Sequence, residues 1–318
     1  MVELINILCA TDNNYAAICG VMLTSLFENN VEKSFSVFVL GDNLSHENIE
    51  LLNNLAKKYN QIINIIEPPK KLFDNFPVRK GDHISLASYF RIACEFLLPE
   101  HIKRIIYLDC DLIVNTNINK LWKFPLENSY LGAVIDSASG KQVERLKLNP
   151  DSEYYNAGIL LIDINKFREE KIYDKCVKEI NANPDKFKFH DQDLLNVVLE
   201  GKIKKLPLIY NIQSAFIRKD LSHNPNYEFV PNEVKKEVVN YLKKPYSFII
   251  HYDGPIKPWS RGVLLKPAFS NIWTKYYKIT GLKIRTTNKS SLQKTIKNCL
   301  FNFFWITGIK AKPDFYKT

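Results

Sequence analysis

Short apolar runs alternate with longer amphipathic segments near the start of the chain, and this alternation restricts the fold more than any other feature. Apolar runs at 6–10, 35–40 and 62–66 predict β-strands because each is short and bounded by polar, turn-forming residues. Between them, a segment from Tyr15 to about Asn29 and another opened by Ser45 have the apolar spacing of helices. A βαβαβ order with short connections predicts a parallel sheet covered by helices, an α/β fold.

The same organisation continues further along the chain. Apolar runs at 104–108, 157–162 and 247–250 predict more strands, and the segments 85–98 and 190–198 predict helices. Ligands of parallel sheets bind at the carboxyl ends of the strands, which places residues 12–14 at a binding edge.

Two acids, Asp109 and Asp111, directly follow the run at 104–108. Carboxylates at this spacing can point to one ligand, and their oxygens suit manganese or magnesium bound together with substrate phosphates. His251 ends another apolar run, and a site with two Asp and one His would suit manganese. A solvated turn for the two acids and a packed side chain for the histidine are the alternative explanations.

Two further segments could complete a nucleotide site. Gly254 allows a close approach of the backbone, and Lys257 could meet a diphosphate. Residues 12–14 offer acceptors and donors for a base and a ribose, although Asn13 or Asn14 could equally cap a helix. The chain has no G-x-G-x-x-G or Walker A pattern, which argues against a dinucleotide enzyme or a P-loop NTPase.

The net charge of +10 is concentrated at one end of the chain. Residues 1–253 hold 31 basic and 33 acidic residues, whereas residues 254–318 hold 13 basic residues and one acid, Asp314. Within 281–318 the basic residues are interleaved with apolar ones at helical spacing, which predicts an interfacial helix on anionic lipid. A terminal helix packed on the core with a solvated basic face is the alternative. The near-neutral body, without an RRM, KH or zinc-finger pattern, argues against a nucleic-acid partner.

The sequence favours neither export nor a membrane span. The amino terminus lacks a basic n-region, and no run approaches 18 uninterrupted apolar residues, so we expect no secretory signal and no transmembrane helix. Six scattered cysteines without a C-x-x-C pair are expected to be reduced packing residues.

Seven segments in order resemble glycosyltransferase family 8, and within it the bacterial lipooligosaccharide and lipopolysaccharide galactosyl- and glucosyltransferases. Together they cover roughly residues 4–262. The segments are 10–15 (ATDNNY), 83–91 (HISLASYFR), 106–111 (IYLDCD), 131–136 (LGAVID), 154–162 (YYNAGILLI), 191–196 (DQDLLN) and 251–259 (HYDGPIKPW).

This resemblance implies a GT-A fold over residues 1–280, with a mainly parallel central sheet flanked by helices, followed by a membrane-associating tail at 281–318. It implies a retaining hexosyltransferase that uses manganese, or magnesium, and a UDP-sugar. UDP-galactose is the expected donor, and UDP-glucose is the alternative. The implied acceptor is a lipid-linked saccharide of lipooligosaccharide or lipopolysaccharide, glycosylated with an α linkage. The implied location is the cytoplasm, at the inner face of the cytoplasmic membrane.

The resemblance also assigns roles to individual residues. The implied metal ligands are Asp109, Asp111 and His251. The implied uracil and ribose contacts are Ala10, Asp12 and Asn14, and the diphosphate contacts are Gly254 and Lys257. The residues implied around the transferred sugar are Arg91, Asp136, Asn156, Ala157, Asp191 and Gln192. Cys110 joins the donor-binding set as the centre of the D-x-D, with its side chain expected to point away. The implied acceptor contacts are Tyr15 and His83.

Three of these residues are candidates for catalysis: Gln192, Asp191 and Asp136. A retaining enzyme could use a carboxylate nucleophile, but Gln192 occupies the position of the family's candidate, and a neutral amide is a poor nucleophile. Front-face departure of the leaving diphosphate is therefore favoured, while Asp191 stays open as a nucleophile, a sugar-hydroxyl partner or a helix N-cap. Asp253 could weaken phosphate binding or face solvent. A non-catalytic protein that binds UDP-sugars is the alternative from another class.

Overall fold

The computed structural model describes residues 4–77, 85–217, 232–241, 246–254, 256–261 and 266–282. The strands are β1 (Leu4–Asp12), β2 (Ser34–Asp42), β3 (Ile62–Ile66), β4 (Arg104–Leu108), β5 (Leu112–Val114), β6 (Leu131–Ile135), β7 (Tyr155–Asp163), β8 (Ile203–Lys205), β9 (Ile212–Gln213) and β10 (Ile249–His251). The α-helices are α1 (Ala16–Glu28), α2 (His46–Tyr59), α3 (Cys94–Leu97), α4 (Asn119–Trp122), α5 (Ser139–Leu146), α6 (Ile164–Glu170), α7 (Ile172–Ala182), α8 (His190–Val198), α9 (Asn232–Tyr241) and α10 (Ser270–Thr280). Short 3₁₀ helices cover Lys70–Phe73, Leu86–Ala93, Leu208–Tyr210 and Ser214–Ile217.

A seven-stranded sheet in the order β3-β2-β1-β4-β7-β6-β8 forms the centre of the described part of the chain. Neighbouring strands are parallel except at β7, which runs antiparallel to both β4 and β6. The sequence-based prediction of a mainly parallel sheet is therefore confirmed. A small second sheet, in the order β5-β10-β9, lies beside it.

Both faces of the central sheet are covered. Ile7 and Leu8 are adjacent in β1 and fully buried, and because successive strand residues point to opposite faces they enter two different hydrophobic cores. Residues of α1 and α10 contribute to one core and residues of α6, α7 and α8 to the other. This burial on both faces explains why the strands are nearly continuous apolar runs in the sequence.

The predicted start of the second helix is confirmed in detail. Ser45 caps α2, and its side-chain oxygen accepts a hydrogen bond from the backbone N–H of Asn48 at 3.3 Å. The helix ends at Tyr59, and the next residue, Asn60, caps it in a left-handed conformation. Among the described residues, five cysteines are buried and free, as expected for packing residues.

The segment predicted as one helix over 85–98 differs in its local geometry. It forms an eight-residue 3₁₀ helix, Leu86–Ala93, followed by the single turn of α3. Runs of 3₁₀ helix this long are uncommon and often mark a constrained site. The tighter helix carries the buried Arg91, whose Nε also donates to the Ser88 carbonyl at 3.1 Å. We attribute the 3₁₀ geometry to the hydrogen bonds that hold this guanidinium in place.

The described chain ends just after α10. Leu282 packs against Gly20 of α1. Residues 283–318, which contain most of the predicted basic tail, lie outside the described residues, so the tail and the boundary at 280 stay predictions. None of the described helices has both the length and the apolar character required to cross a bilayer.

Candidate active site

Four chain segments bring polar side chains to one edge of the central sheet. β1, β4 and β6 all end there, which places Asp12, Asp109 and Asp136 at the same edge. Because β7 runs the opposite way, its first residues reach this edge too, and they include Asn156. The structure thus places Asp12 at the carboxyl end of β1 as predicted, beside residues from β4, β6 and the antiparallel β7.

The small sheet supplies the histidine. β10 pairs antiparallel with β5, and His251 lies opposite Leu112, the residue that follows Asp111. The backbone N–H of Tyr252 also donates to the Asp111 carbonyl at 3.0 Å. This pairing holds the imidazole beside the two carboxylates.

Asp109, Asp111 and His251 form a compact group of potential metal ligands. One ligand atom from each lies within 4.8 Å of the others. The His251 Nε2 is 3.4 Å from Asp111 Oδ1 and 4.0 Å from Asp109 Oδ2. Two carboxylates and one imidazole are a donor set that suits manganese, and this set leaves coordination positions for other oxygens. The residues present therefore fit a divalent cation.

The second oxygen of Asp109 is occupied by protein donors. Asp109 Oδ1 accepts hydrogen bonds from Arg91 at 2.7 Å and from the Tyr107 hydroxyl at 2.8 Å. The Arg91 guanidinium also lies over the Tyr107 ring, 4.0 Å from its centroid. These contacts orient the carboxylate so that Oδ2 faces His251.

Lys257 is paired with the other carboxylate of the D-x-D. Its Nζ donates to Asp111 Oδ2 at 2.7 Å and to the Tyr252 carbonyl. Burial by itself would raise the pKa of Asp111, but Lys257 and His251 hold it below its usual range. Asp111 is therefore ionised and able to bind a cation.

Arg91 also connects the metal group, by which we mean the potential ligands Asp109, Asp111 and His251, to Asp191. Its Nε is 3.0 Å from Asp191 Oδ2, and both side chains are buried. Burial raises the pKa of Asp191 to about 7, because Arg91 offsets only part of the desolvation cost. The arginine is thus a buried cation shared by two carboxylates, Asp109 and Asp191.

Gln192 is held in one orientation by three partners. Its carbonyl oxygen accepts from the Ala157 N–H at 3.0 Å, and its amide nitrogen donates to Asp136 Oδ2 at 3.2 Å and to the Tyr154 hydroxyl at 3.0 Å. Tyr154 in turn donates to the fully buried Asp193 at 2.6 Å. The structure therefore brings Gln192, Asp136 and Ala157 together, as the sequence predicts.

A turn at the end of β1 arranges the residues for which the resemblance implies uracil and ribose contacts. Asp12 Oδ1 accepts from the backbone N–H groups of Asn14 and Tyr15 at 2.9 and 3.0 Å, so Asp12, and neither Asn13 nor Asn14, closes the turn before α1. Asn13 instead contacts the loop between β2 and α2, where its side-chain oxygen accepts a hydrogen bond from the Ser45 N–H at 2.7 Å.

Cys110 has its side chain in the core, as the sequence predicts. Its thiol contacts the carbonyl oxygen of Ala10 at 3.1 Å. Any contact of Cys110 with a ligand at this edge would therefore use its backbone. Ala10 is buried at the end of β1, next to the edge.

The structure describes the surroundings of Tyr15 and Gly254, two of the remaining predicted residues. Tyr15 packs edge-on against Trp259, with ring centroids 6.1 Å apart. A Cβ atom at Gly254 would meet only ordinary contacts with Ser214, so space alone does not require glycine there. Asp253 accepts from the Ser214 N–H at 2.8 Å, a structural role that the sequence left open. His83 lies outside the described residues.

Three polar residues of the site were not singled out by sequence reasoning: Tyr107, Tyr154 and Asn211. The position of Tyr107 could have been predicted from its spacing. Residues two apart on a strand point the same way, and Asp109 follows Tyr107 at that spacing. Asn211 accepts a hydrogen bond from His251 Nδ1 at 3.0 Å, and it lies in a segment that carries no motif.

Gly158 provides the space that His251 fills. A Cβ atom at position 158 would lie 2.8 Å from His251 Nδ1 and 3.1 Å from Asn156 Oδ1, and closer still to His251 Cε1. Its φ angle is not in the left-handed region, so the requirement for glycine is one of space.

The fold and this carboxylate–histidine group define a GT-A-type glycosyltransferase. The chain belongs to glycosyl transferase family 8, whose model matches residues 6–262. It is 32% identical over 265 residues to a glycosyltransferase-like protein of Haemophilus influenzae, covering 81% of this chain and 74% of the relative. It is 27% identical over 325 residues to lipopolysaccharide 1,2-glucosyltransferase of Escherichia coli K12, covering 97% of this chain and 89% of the relative. The fold matches the crystal structure of galactosyltransferase LgtC with donor and acceptor sugar analogs, with a TM-score of 0.75 at 22% identity over 90% of this chain and 98% of that one.

Proposed function

We propose that this chain is a manganese-dependent, retaining galactosyltransferase that moves galactose from UDP-galactose to a saccharide of lipooligosaccharide or lipopolysaccharide, forming an α linkage. The observation that carries this proposal is the group of Asp109, Asp111 and His251 at the ligand edge of a GT-A-type sheet. Membership of family 8 supports glycosyl transfer. Galactose is supported by the similarity to lipopolysaccharide 1,3-galactosyltransferase of Salmonella typhimurium, which is 28% identical over 80% of this chain.

UDP-glucose is the second candidate donor. The specific observation in its favour is the similarity to a lipopolysaccharide glucosyltransferase over 97% of the chain. The two donors differ in the configuration of one hydroxyl group, which the sugar-side residues Asp136, Asn156 and Asp191 would have to distinguish. Magnesium is the alternative to manganese, because both take carboxylate oxygens.

The proposed chemistry is departure of the diphosphate with attack from the same face. A cation held by Asp109, Asp111 and His251 would supply Lewis-acid stabilisation of the leaving group. Lys257, which pairs with Asp111, would offset part of the charge that develops on the diphosphate. The acceptor hydroxyl would give its proton to the departing diphosphate.

The hydrogen bonds of Gln192 and the ion pair of Asp191 support this route over a covalent one. The Gln192 carbonyl oxygen is engaged by the Ala157 N–H, and an amide is a poor nucleophile. Asp191 is paired with Arg91, which lowers its nucleophilicity and suits a role in holding sugar hydroxyls.

A donor screen tests the proposal. We expect UDP release from UDP-galactose with Mn²⁺, faster than from UDP-glucose, and loss of this release with EDTA. The measurement is the initial rate of UDP formation for both donors with Mn²⁺, with Mg²⁺ and with chelator. Faster release from UDP-glucose would move the assignment to the second donor, and no release from either would leave only the non-catalytic binding protein.

We also propose that residues 281–318 hold the enzyme on an anionic membrane at the cytoplasmic face. Each basic residue near such a surface is worth about 1 kcal/mol, so reversing two charges with Lys294→Glu and Lys297→Glu should weaken vesicle binding about tenfold or more. The measurement is co-sedimentation with vesicles of phosphatidylglycerol and phosphatidylcholine. Lys141→Glu with Lys178→Glu is the matched control, since both side chains are exposed on the body. An equal loss in the two variants would contradict a specific role for the tail.

A further inference from the structure

Asn211 is a fully buried amide between the metal group and the sugar-side residues. It follows the 3₁₀ helix Leu208–Tyr210 and precedes β9. Its Oδ1 is 3.0 Å from His251 Nδ1, and its Nδ2 donates to Asn156 Oδ1 at 2.8 Å. Asn211 lies outside the seven segments in which the sequence resembles the family.

The orientation of the Asn211 amide follows from its neighbours. The backbone N–H of Gly158 donates to Asn156 Oδ1 at 3.0 Å, which identifies that atom as an acceptor. The Asn211 atom facing it must therefore be the NH₂ group, and the atom facing His251 must be the carbonyl oxygen. Since an amide oxygen only accepts, His251 carries a proton on Nδ1 and presents Nε2 to Asp109 and Asp111.

The same series of hydrogen bonds continues to the sugar side. Asn156 Nδ2 donates to Asp136 Oδ2 at 3.2 Å, and Gln192 donates to the same oxygen at 3.2 Å. Each group from His251 to Asn156 thus donates to the next, and the series ends on the Asp136 carboxylate. A change in the position of His251 would therefore alter the hydrogen bonds that Asp136 accepts, and a change at Asp136 would alter those of His251.

We propose that Asn211 is a positioning residue that fixes His251 in its metal-binding tautomer and links the metal group to the donor-sugar residues through Asn156 and Asp136. This inference rests on the proposed function, because it concerns the cation and the sugar nucleotide named there. Groups that orient a metal-bound histidine typically change metal affinity about 10- to 100-fold when removed.

The first test replaces Asn211 by leucine, which removes both hydrogen bonds. We expect Mn²⁺ to bind Asn211→Leu about 10- to 100-fold more weakly than wild type, measured by electron paramagnetic resonance titration with UDP present. The control is Gln213→Leu, which removes a neighbouring buried amide that bonds Ser137 N and the Ile135 carbonyl. Equal Mn²⁺ affinity in Asn211→Leu and wild type would overturn the inference, as would an equal loss in the control.

The second test, Asn211→Asp, separates the two hydrogen bonds. A carboxylate still accepts from His251 Nδ1 but cannot donate to Asn156. We expect Mn²⁺ affinity to stay close to wild type while the KM for the UDP-sugar rises. A loss of Mn²⁺ affinity as large as in Asn211→Leu would overturn the tautomer role, and an unchanged KM would overturn the link to the sugar side. If Asn211→Leu fails to fold, the Mn²⁺ affinity and the KM of Asn211→Asp test the inference without it.

The two proposals fail differently. If wild type binds Mn²⁺ and Asn211→Leu binds it equally well, only the role of Asn211 is lost. If wild type binds no Mn²⁺ at Asp109, Asp111 and His251, the proposed function fails first.

Discussion

Replacing Asp109 by asparagine is expected to lower UDP release about 1,000-fold or more. The side chain keeps its shape, but the oxygen that faces His251 loses the charge that would hold a cation. Lewis-acid stabilisation by a metal is worth several kcal/mol in the transition state, and each 1.4 kcal/mol is a factor of ten in rate. The measurement is the initial rate of UDP release at fixed Mn²⁺, together with Mn²⁺ binding.

A matched control is Asp185→Asn, which removes a carboxylate that is exposed on the surface. It should release UDP at the wild-type rate. If Asp109→Asn stays active, and stays active with the metal chelated, the assignment of the metal group is wrong.

Replacing Arg91 by methionine is expected to lower the free energy of unfolding by about 3–5 kcal/mol and to abolish transfer. The guanidinium is buried and pairs with Asp109 and Asp191, so its removal leaves two carboxylates without their shared cation. It also donates to the Ala157 carbonyl, which would lose that donor. Urea unfolding measures the loss of stability, and UDP release measures the loss of activity.

The comparison variant is Lys175→Met, which breaks the ion pair with Glu170 on the surface. Exposed pairs contribute about 0–1 kcal/mol, so this variant should unfold close to wild type. Arg91→Met with wild-type stability would show that the buried charges are compensated elsewhere.

Strand positions and the binding edge could be predicted because buried strands leave continuous apolar runs in the sequence. The run at 104–108 matches the buried strand β4, and Ser45 caps α2 as expected. The direction of β7 could not be predicted, since an apolar run does not show which way its strand lies in the sheet. That direction matters, because it is what brings Asn156 and Ala157 to the edge.

The contact between His251 and the D-x-D could not be derived from spacing. It depends on the pairing of β5 with β10, two short strands far apart in the sequence. The family resemblance supplied this relation, whereas the residue pattern showed only that each group follows or ends an apolar run. Tyr154 and Asn211 were missed because a buried polar side chain is recognised by its partners, which only the folded chain brings together.

The close fit of His251 against Gly158 has an evolutionary consequence. The two positions belong to different sheets, yet the imidazole occupies the volume that any larger residue at 158 would need. A lineage that acquired even alanine at 158 would have to move or replace the histidine. The two positions are therefore expected to vary together, because a side chain at 158 and the imidazole at 251 would compete for the same volume.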